Sequence, residues 1–357
     1  MTLSRSQIAW LNRLTNLPTA PGREEAVVGW VEAWARRRGL RTRRDRAGNL
    51  VVATGVRSRR PPVVAVAHLD HPALVVTAAS HQQITAELRG GVLAPYVRAA
   101  RVEGDAGTGR VTAYEESSQA VTISWNTKRV PLPGDILRWR FPTSSLGTSD
   151  GVLRAPACDD LAGVAAALTA LDRARLLGLH HFSVLLTRAE EVGFVGAIAA
   201  CQLGTVAPSS RILSIECSRA STDAPLGRGA IVRVGDASSV FDADLSNRLS
   251  DIARTLKIPH QRKLMTGGSC EATAFAALGW QATGLCLALG NYHNMVDIDG
   301  VTAGRRRPRL APEEISLADY RGLIELLLAA AAEITSIKSD LPRRLAALYR
   351  KERHLLT

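Results

Sequence analysis

A chain of 357 residues with 46% hydrophobic and 22% charged content is a folded protein with room for a large core or two domains, and extensive disorder is excluded. The net charge of +12 raises nucleic acid as a partner, but the excess is arginine scattered along helices, without a nucleic-acid module around the runs Arg36-Arg37-Arg38, Arg43-Arg44, Arg305-Arg306-Arg307 and Arg343-Arg344. These runs are read as solvated faces and nucleic acid is not expected. Five cysteines, odd in number and without a Cys-x-x-Cys pair, argue against a disulfide framework or a thiolate zinc site, and leave buried free thiols.

From Ser6 to Gly39 apolar residues recur at helical spacing on either side of a turn at Pro18 to Gly22, which predicts two helices. A turn at Asp45 to Asn49 feeds a strand, and Pro62 to Asp70 is an apolar run suited to a strand buried on both faces. Between Leu74 and Leu153 short alternating segments such as ALVVTAAS, QITAELRG and AVTISWN predict an all-β module. An α/β rhythm then resumes, with helix over Asp160 to Leu177, strand over Phe182 to Thr187, helix over Val192 to Cys201 and strand from Arg211 ending at Glu216. Helices over Ser239 to Leu256 and Cys270 to Leu278, a strand over Thr283 to Leu289 running into His293, a long helix over Leu317 to Ile337 and a basic helical tail complete the expectation. The fold class is α/β, a mixed and mostly parallel sheet flanked by helices, with residues 73–153 inserted as a β-barrel-like domain between 1–72 and 154–357. No apolar stretch is long enough to span a bilayer, and the N-terminal MTLSRSQIAWLNRL lacks a cleavage pattern, so a cytoplasmic protein without a membrane partner is expected.

Polar residues stand at the ends of these strands: His68 and Asp70, Asp159 and Asp160, Glu190 and Glu191, Glu216, and His293. Each has a plain structural explanation taken alone. His68-x-Asp70 is a frequent pattern, Asp159-Asp160 suits a helix N-cap, Glu190-Glu191 suits the first turn of a helix, and His293 suits a loop. Together they are an inventory for two metals, because ligands beyond the carboxyl ends of strands share one crevice and a carboxylate can bridge two cations. Asp159 would bridge, His68 and Glu216 would complete one site, and Glu191 and His293 the other. Asp70, on the same strand face as His68, would fix its tautomer, and Glu190 is left as the general base. His71, His180 and His181 are read as structural.

The ordered set His68-x-Asp70, Asp159-Asp160, Glu190-Glu191-Val192-Gly193, an acid at 216 and His293 resembles the co-catalytic di-zinc aminopeptidases, in particular the tetrahedral and glutamyl (deblocking) aminopeptidase family. Asp45 to Leu50 (DRAGNL), Pro133-Gly134-Asp135 and Gly267 to Ala272 are similar to further family segments, so the resemblance spans nearly the whole chain. Departures are Glu216 where the family usually has Asp, Leu161 after the Asp pair, no Arg-Tyr-x-His-Ser-Pro around His293, and an arginine-rich insertion within Asp299 to Pro312. The resemblance implies a zinc-peptidase-type fold and a cytoplasmic metallo-aminopeptidase for short peptides with two divalent ions, zinc or else cobalt or manganese. It also implies a homo-oligomer, from a dimer up to a larger shell, paired through the β module. The rival readings are an amidase, deacylase or carboxypeptidase-type hydrolase with the same centre, or a non-catalytic binding protein on this fold.

Overall fold

The computed structural model describes residues 2–98, 100–336 and 338–356. The chain opens with helices α1 (Arg5–Leu14), whose Ser4 and Gln7 form a capping box, and α2 (Glu25–Arg36). Strands β1 (Arg41–Arg44), β2 (Leu50–Ala53) and β3 (Val63–His68) follow. Every residue of β3 is buried, as its uninterrupted VVAVA run requires of a strand covered on both faces.

The chain then leaves this sheet. β4 (Ala73–Ala79), β5 (Gln83–Arg89), a short α3 (Ala94–Val97), β6 (Arg101–Gly104), β7 (Gly107–Glu115), β8 (Ala120–Trp125) and β9 (Ile136–Trp139) follow in turn, and the six strands close into a barrel in the order β4-β5-β8-β7-β6-β9. Alternate residues such as Leu74, Val76, Ile84, Val121, Ile123 and Trp139 fill its interior. β10 (Gly147–Ser149) and β11 (Val152–Ala155) pair away from the barrel, with β17 (Glu313–Ser316), in a separate three-stranded sheet.

The rest comprises α4 (Leu161–Leu176), β12 (Phe182–Thr187), α5 (Val195–Gln202), β13 (Arg211–Arg219), β14 (Ala230–Gly235), α6 (Ala243–Thr255), β15 (His260–Leu264), α7 (Glu271–Ala277), β16 (Gln281–Leu289), α8 (Ile298–Thr302), α9 (Leu317–Glu333) and α10 (Leu341–Glu352). The eight-stranded sheet runs β1-β2-β12-β3-β13-β16-β14-β15, and β12, β3, β13 and β16 are mutually parallel. Helices α1, α2, α4, α6 and α9 pack one face through Leu11, Trp34, Leu168, Leu249 and Leu327. Helices α5 and α7 cover the other through Ala197, Ala200 and Phe275. This is the α/β architecture expected from the sequence.

Several expectations need correction. β13 does not end at Glu216 but continues to Arg219 beside β16, which places Glu216 within the strand. The helix expected from Val192 starts only at Val195, because Gly193 and Phe194 adopt positive φ, so Glu190 and Glu191 lie in a turn and not in a first helical turn. The helix expected from Ser239 starts at Ala243 behind the Asp242 cap. The one expected over Leu317 to Ile337 ends at Glu333, and Ile337 itself lies outside the described residues. Strands β1, β14, β15 and β17 were not expected.

Candidate metal centre

The four parallel strands deliver their carboxyl ends to one edge of the sheet. β3 ends in His68, which pairs with Thr187 at the end of β12. Ser214 of β13 pairs with Val66, so two residues further on Glu216 reaches the level of His68. His293 arrives from the loop after β16, and Asp159 from the segment ahead of α4, where a cis peptide bond joins it to Asp160.

Asp159 sits between two clusters. Its Oδ1 lies 3.2 Å from His68 Nε2, which in turn is 4.0 Å from Glu216 Oε2. Its Oδ2 lies 3.7 Å from His293 Nε2, which is 3.2 Å from Glu191 Oε2. A tetrahedral cation with ligand bonds of about 2.0–2.1 Å has edges of about 3.3 Å, so both spacings suit one ion per cluster. The donors within each triad lie within 4.8 Å of one another. Two further atoms support the fit: Glu191 Oε1 and Glu216 Oε1 are buried without a hydrogen-bond partner, and buried carboxylate oxygens left unpaired are costly. A third grouping, Asp159, Asp160 and Cys217, fits less well. Burial pushes the Cys217 thiol and the Asp160 carboxyl well above their usual ranges, and the thiol already donates to Asp160 Oδ1 at 3.5 Å.

The imidazoles are held by their other nitrogens. His293 Nδ1 donates to the Gly91 carbonyl at 2.7 Å, which turns Nε2 toward Asp159 and Glu191. His68 Nδ1 is 3.2 Å from the backbone oxygen of Asp70 and 3.5 Å from its Oδ1. The Asp70 carboxylate spends its oxygens elsewhere: Oδ1 accepts the Glu190 N–H and Oδ2 the Glu191 N–H, each at 3.1 Å. One residue thus fixes both a ring and the turn that carries the adjacent glutamates.

That turn is braced from behind. Glu24 accepts from the Ala189 N–H and pairs with Arg188 at 2.6 Å, and Asn49 accepts from the Arg188 N–H while donating to the Gly196 carbonyl. At Gly196 a Cβ would lie 2.3 Å from the Arg188 oxygen, so only glycine lets α5 start this close to the turn. The Asp45 to Leu50 motif therefore shapes the loop that presents Glu190 and Glu191.

Burial opposes the charge on Asp159, His68, His293, Glu190 and Glu216, and neighbours decide the outcome. Hydrogen bonds from His293 and His68 overcome desolvation to hold the Asp159 carboxyl below its usual range. Desolvation would lower both imidazoles, yet Asp159 and Asp70 hold His68, and Glu191 and Asp159 hold His293, well above the usual value. Desolvation and the charges of Glu216 and Glu191 push the Glu190 carboxyl well up. Burial also raises Glu216 to about 8, and Glu271 and Glu313 to about 7, from an ordinary 4.5.

These carboxyls bind a proton more tightly folded than unfolded. Their contribution to stability is complete below the unfolded value of 4.5 and is lost as pH rises through about 7 to 8. Chelator-treated protein is therefore expected to melt at a lower temperature at about pH 9 than at about pH 6, with added zinc shrinking the difference because bound cations favour the ionised ligands. Circular-dichroism melts at both pH values check this; an equal or higher midpoint at the alkaline pH without metal contradicts it.

Two residues of the centre escaped the sequence reading. Glu313 Oε2 accepts the N–H groups of Cys158 at 2.7 Å and Asp159 at 3.0 Å, and its Oε1 accepts the N–H of His293 at 2.9 Å. His71, taken from the sequence as structural, is a neighbour of the centre: Nδ1 donates to the Asp159 carbonyl at 2.7 Å, and Nε2 faces Asn294 Oδ1 at 3.2 Å. His181 bonds the Ala331 carbonyl away from this centre. The arginines at 305–307 and 309 are exposed. Beside the centre lies a cavity of about 980 Å³ whose walls include Glu216, Arg233, Lys263, Met265 and Tyr292, with Tyr292 stacked on His293 at 3.8 Å.

Residues 132–305 match the M42 glutamyl aminopeptidase family profile. No curated protein matches the chain. Among solved structures, the TET aminopeptidase of the marine sediment archaeon Thaumarchaeota archaeon SCGC AB-539-E09 is similar at 18% identity, with a TM-score of 0.75 over 93% of this chain and 96% of that one. The aminopeptidase APDkam598 of Desulfurococcus kamchatkensis is similar at 21% identity and TM-score 0.72 over 94% and 96%. The TET1 peptidase of Pyrococcus horikoshii, described as assembling into a tetrahedron or a large octahedral shell, is similar at 20% identity and TM-score 0.70 over 91% and 99%. At these identities the likenesses concern the fold.

Proposed function

We propose that the chain is a member of the M42 glutamyl aminopeptidase family, whose profile its residues 132–305 match, and that it is a metal-dependent aminopeptidase that removes the N-terminal residue of short peptides at the centre around Asp159. The observation that carries the reading is the division of the two Asp159 oxygens between two His-plus-Glu pairs. Asp159 is then the shared ligand, His68 and Glu216 complete one site, and Glu191 and His293 the other. Two divalent cations held there, zinc or else cobalt or manganese, would supply Lewis acidity that polarises a carbonyl and lowers the pKa of a water from 15.7 toward about 7.

The chain's own residues do the rest. Glu190 takes a proton from the attacking water and returns it to the leaving amine, a task suited to a carboxyl whose proton affinity burial and its acidic neighbours raise. Asp70 aims Glu190 and Glu191 through their backbone N–H groups. The surrounding carboxylates favour the cationic α-amine of a free peptide N-terminus, which supports cleavage from that end. The adjoining cavity takes the first side chain. Residues 73–153 form the inserted unit of this reading, and its barrel is the surface through which copies of the chain associate; the assembly of the Pyrococcus protein supports an oligomer here. A cytoplasmic location belongs to the same reading, and among the described residues no helix is long and apolar enough to cross a membrane.

Aminoacyl anilides and their N-acetylated counterparts test the proposal. Free-amine substrates are expected to be cleaved, with activity lost on chelation and restored by added zinc. Cleavage of only the blocked substrates would overturn the aminopeptidase reading in favour of an amidase or deacylase.

A further inference from the structure

The last helix, α10, touches none of the chemistry above, and none of its residues is buried. At 100° per residue, Leu341, Leu345, Leu348 and Tyr349 fall within an arc of about 100° along a helix about 18 Å long. Their exposures run from 41% to 60%, so this apolar stripe faces outward, and Leu355 and Leu356 extend it at 72% and 79%. A stripe of this kind exposed to water asks for a partner.

The charges around the stripe select one. Arg343 and Arg350 lie on the opposite side, with Arg344 and Lys351 along one flank, and Arg353 follows the helix. Arg344, Arg350 and Arg353 have no ion pair among the described residues, whereas Arg343 pairs with Asp340 and Lys351 with Glu352, the single acid on the apolar side. At the foot of the helix lies a cavity of about 350 Å³ whose walls include Arg254, His260, Arg262, Leu341 and Arg344, with Asp251 as the acidic member. Arg254 is held by Asp251 and Asp340, while the Arg262 guanidinium donates to the Ser250 hydroxyl and has no ion pair among the described residues. The apolar stripe and a basic hollow of phosphate-binding chemistry thus adjoin.

We propose that α10 and this hollow form a docking surface for an anionic lipid bilayer, the stripe entering the boundary between headgroups and acyl chains and the arginines contacting lipid phosphates. Charge complementarity favours this occupant over a second copy of the chain, which would bring a net charge of +12 to a face that is itself basic. The proposal revises two expectations from the sequence, that Arg343-Arg344 is a plain solvated run and that no membrane is a partner. The contact is peripheral.

Co-sedimentation of the full chain with phosphatidylcholine vesicles, and with vesicles containing about 30% phosphatidylglycerol, tests it. Binding to the anionic vesicles is expected to be at least about tenfold stronger and to disappear at about 0.5 M salt. Arg262→Gln with Arg344→Gln is expected to weaken it by roughly thirtyfold. Leu345→Ser with Leu348→Ser is expected to abolish it, while peptidase activity stays unchanged in both variants. Equal partition into neutral and anionic vesicles, or none, overturns the proposal. So does absence of vesicle binding together with a smaller oligomer for the leucine variant by light scattering, which would make the stripe a contact between copies.

Discussion

Glu190→Gln is expected to lower kcat by roughly 10²–10⁴-fold while leaving about two metals per chain and KM little changed. The substitution keeps the size of the side chain and the N–H that Asp70 accepts, so the turn stays in place. What it removes is a group able to take a proton. It also removes a buried carboxyl whose ionisation is opposed by desolvation and by Glu216 and Glu191, so the metal-free variant is expected to melt no lower than the parent. Metal content by mass spectrometry and kinetics on one substrate separate the roles of the adjacent pair. Full activity would move the base elsewhere, and loss of a metal would make Glu190 a ligand. Glu191→Gln should show the reverse pattern, with metal content falling first.

Asp159→Asn is expected to lose both metal occupancy and activity. An amide offers one oxygen and carries no charge, so it cannot serve His68 with Glu216 on one side and His293 with Glu191 on the other. Occupancy should fall to one ion per chain or fewer. Activity should fall by more than the ~10–100-fold that losing an outer partner of a ligand costs. The variant also removes a carboxylate that raises both imidazoles, alongside Glu191 for His293, so the histidine titrations of the metal-free protein followed by NMR should shift downward. Two bound metals and undiminished turnover would show that Asp159 is not shared.

What was legible in the sequence followed from burial. The strands β3, β12 and β16 are covered on both faces and read as continuous apolar runs, so their ends, and the polar residues beyond them, stood out. β15, HQRKL on the sheet edge, and β1, RTRR with all four residues exposed, carry no such pattern. β17 is four residues long and begins with two glutamates, which read as loop. Glu313 was hidden for that reason and for a second: it accepts from backbone N–H groups, whose donors every residue but proline shares and no residue type reveals. The helix expected from Val192 starts late because the breaks around Glu190 and Glu191 lie in the positive φ of Ala189, Gly193 and Phe194, of which only the glycine is a sequence signal.

The position of Glu313 bears on how the protein is made. One carboxylate near the C-terminal end of the peptidase body ties the Asp159 segment to the His293 loop, while the ligands themselves begin at His68. A chain still on the ribosome, with its first three hundred residues outside, would already carry every proposed ligand yet lack the clasp that brings two of them together. On the proposed reading, the centre is expected to close around its cations only after Glu313 has joined the Asp159 segment to the His293 loop.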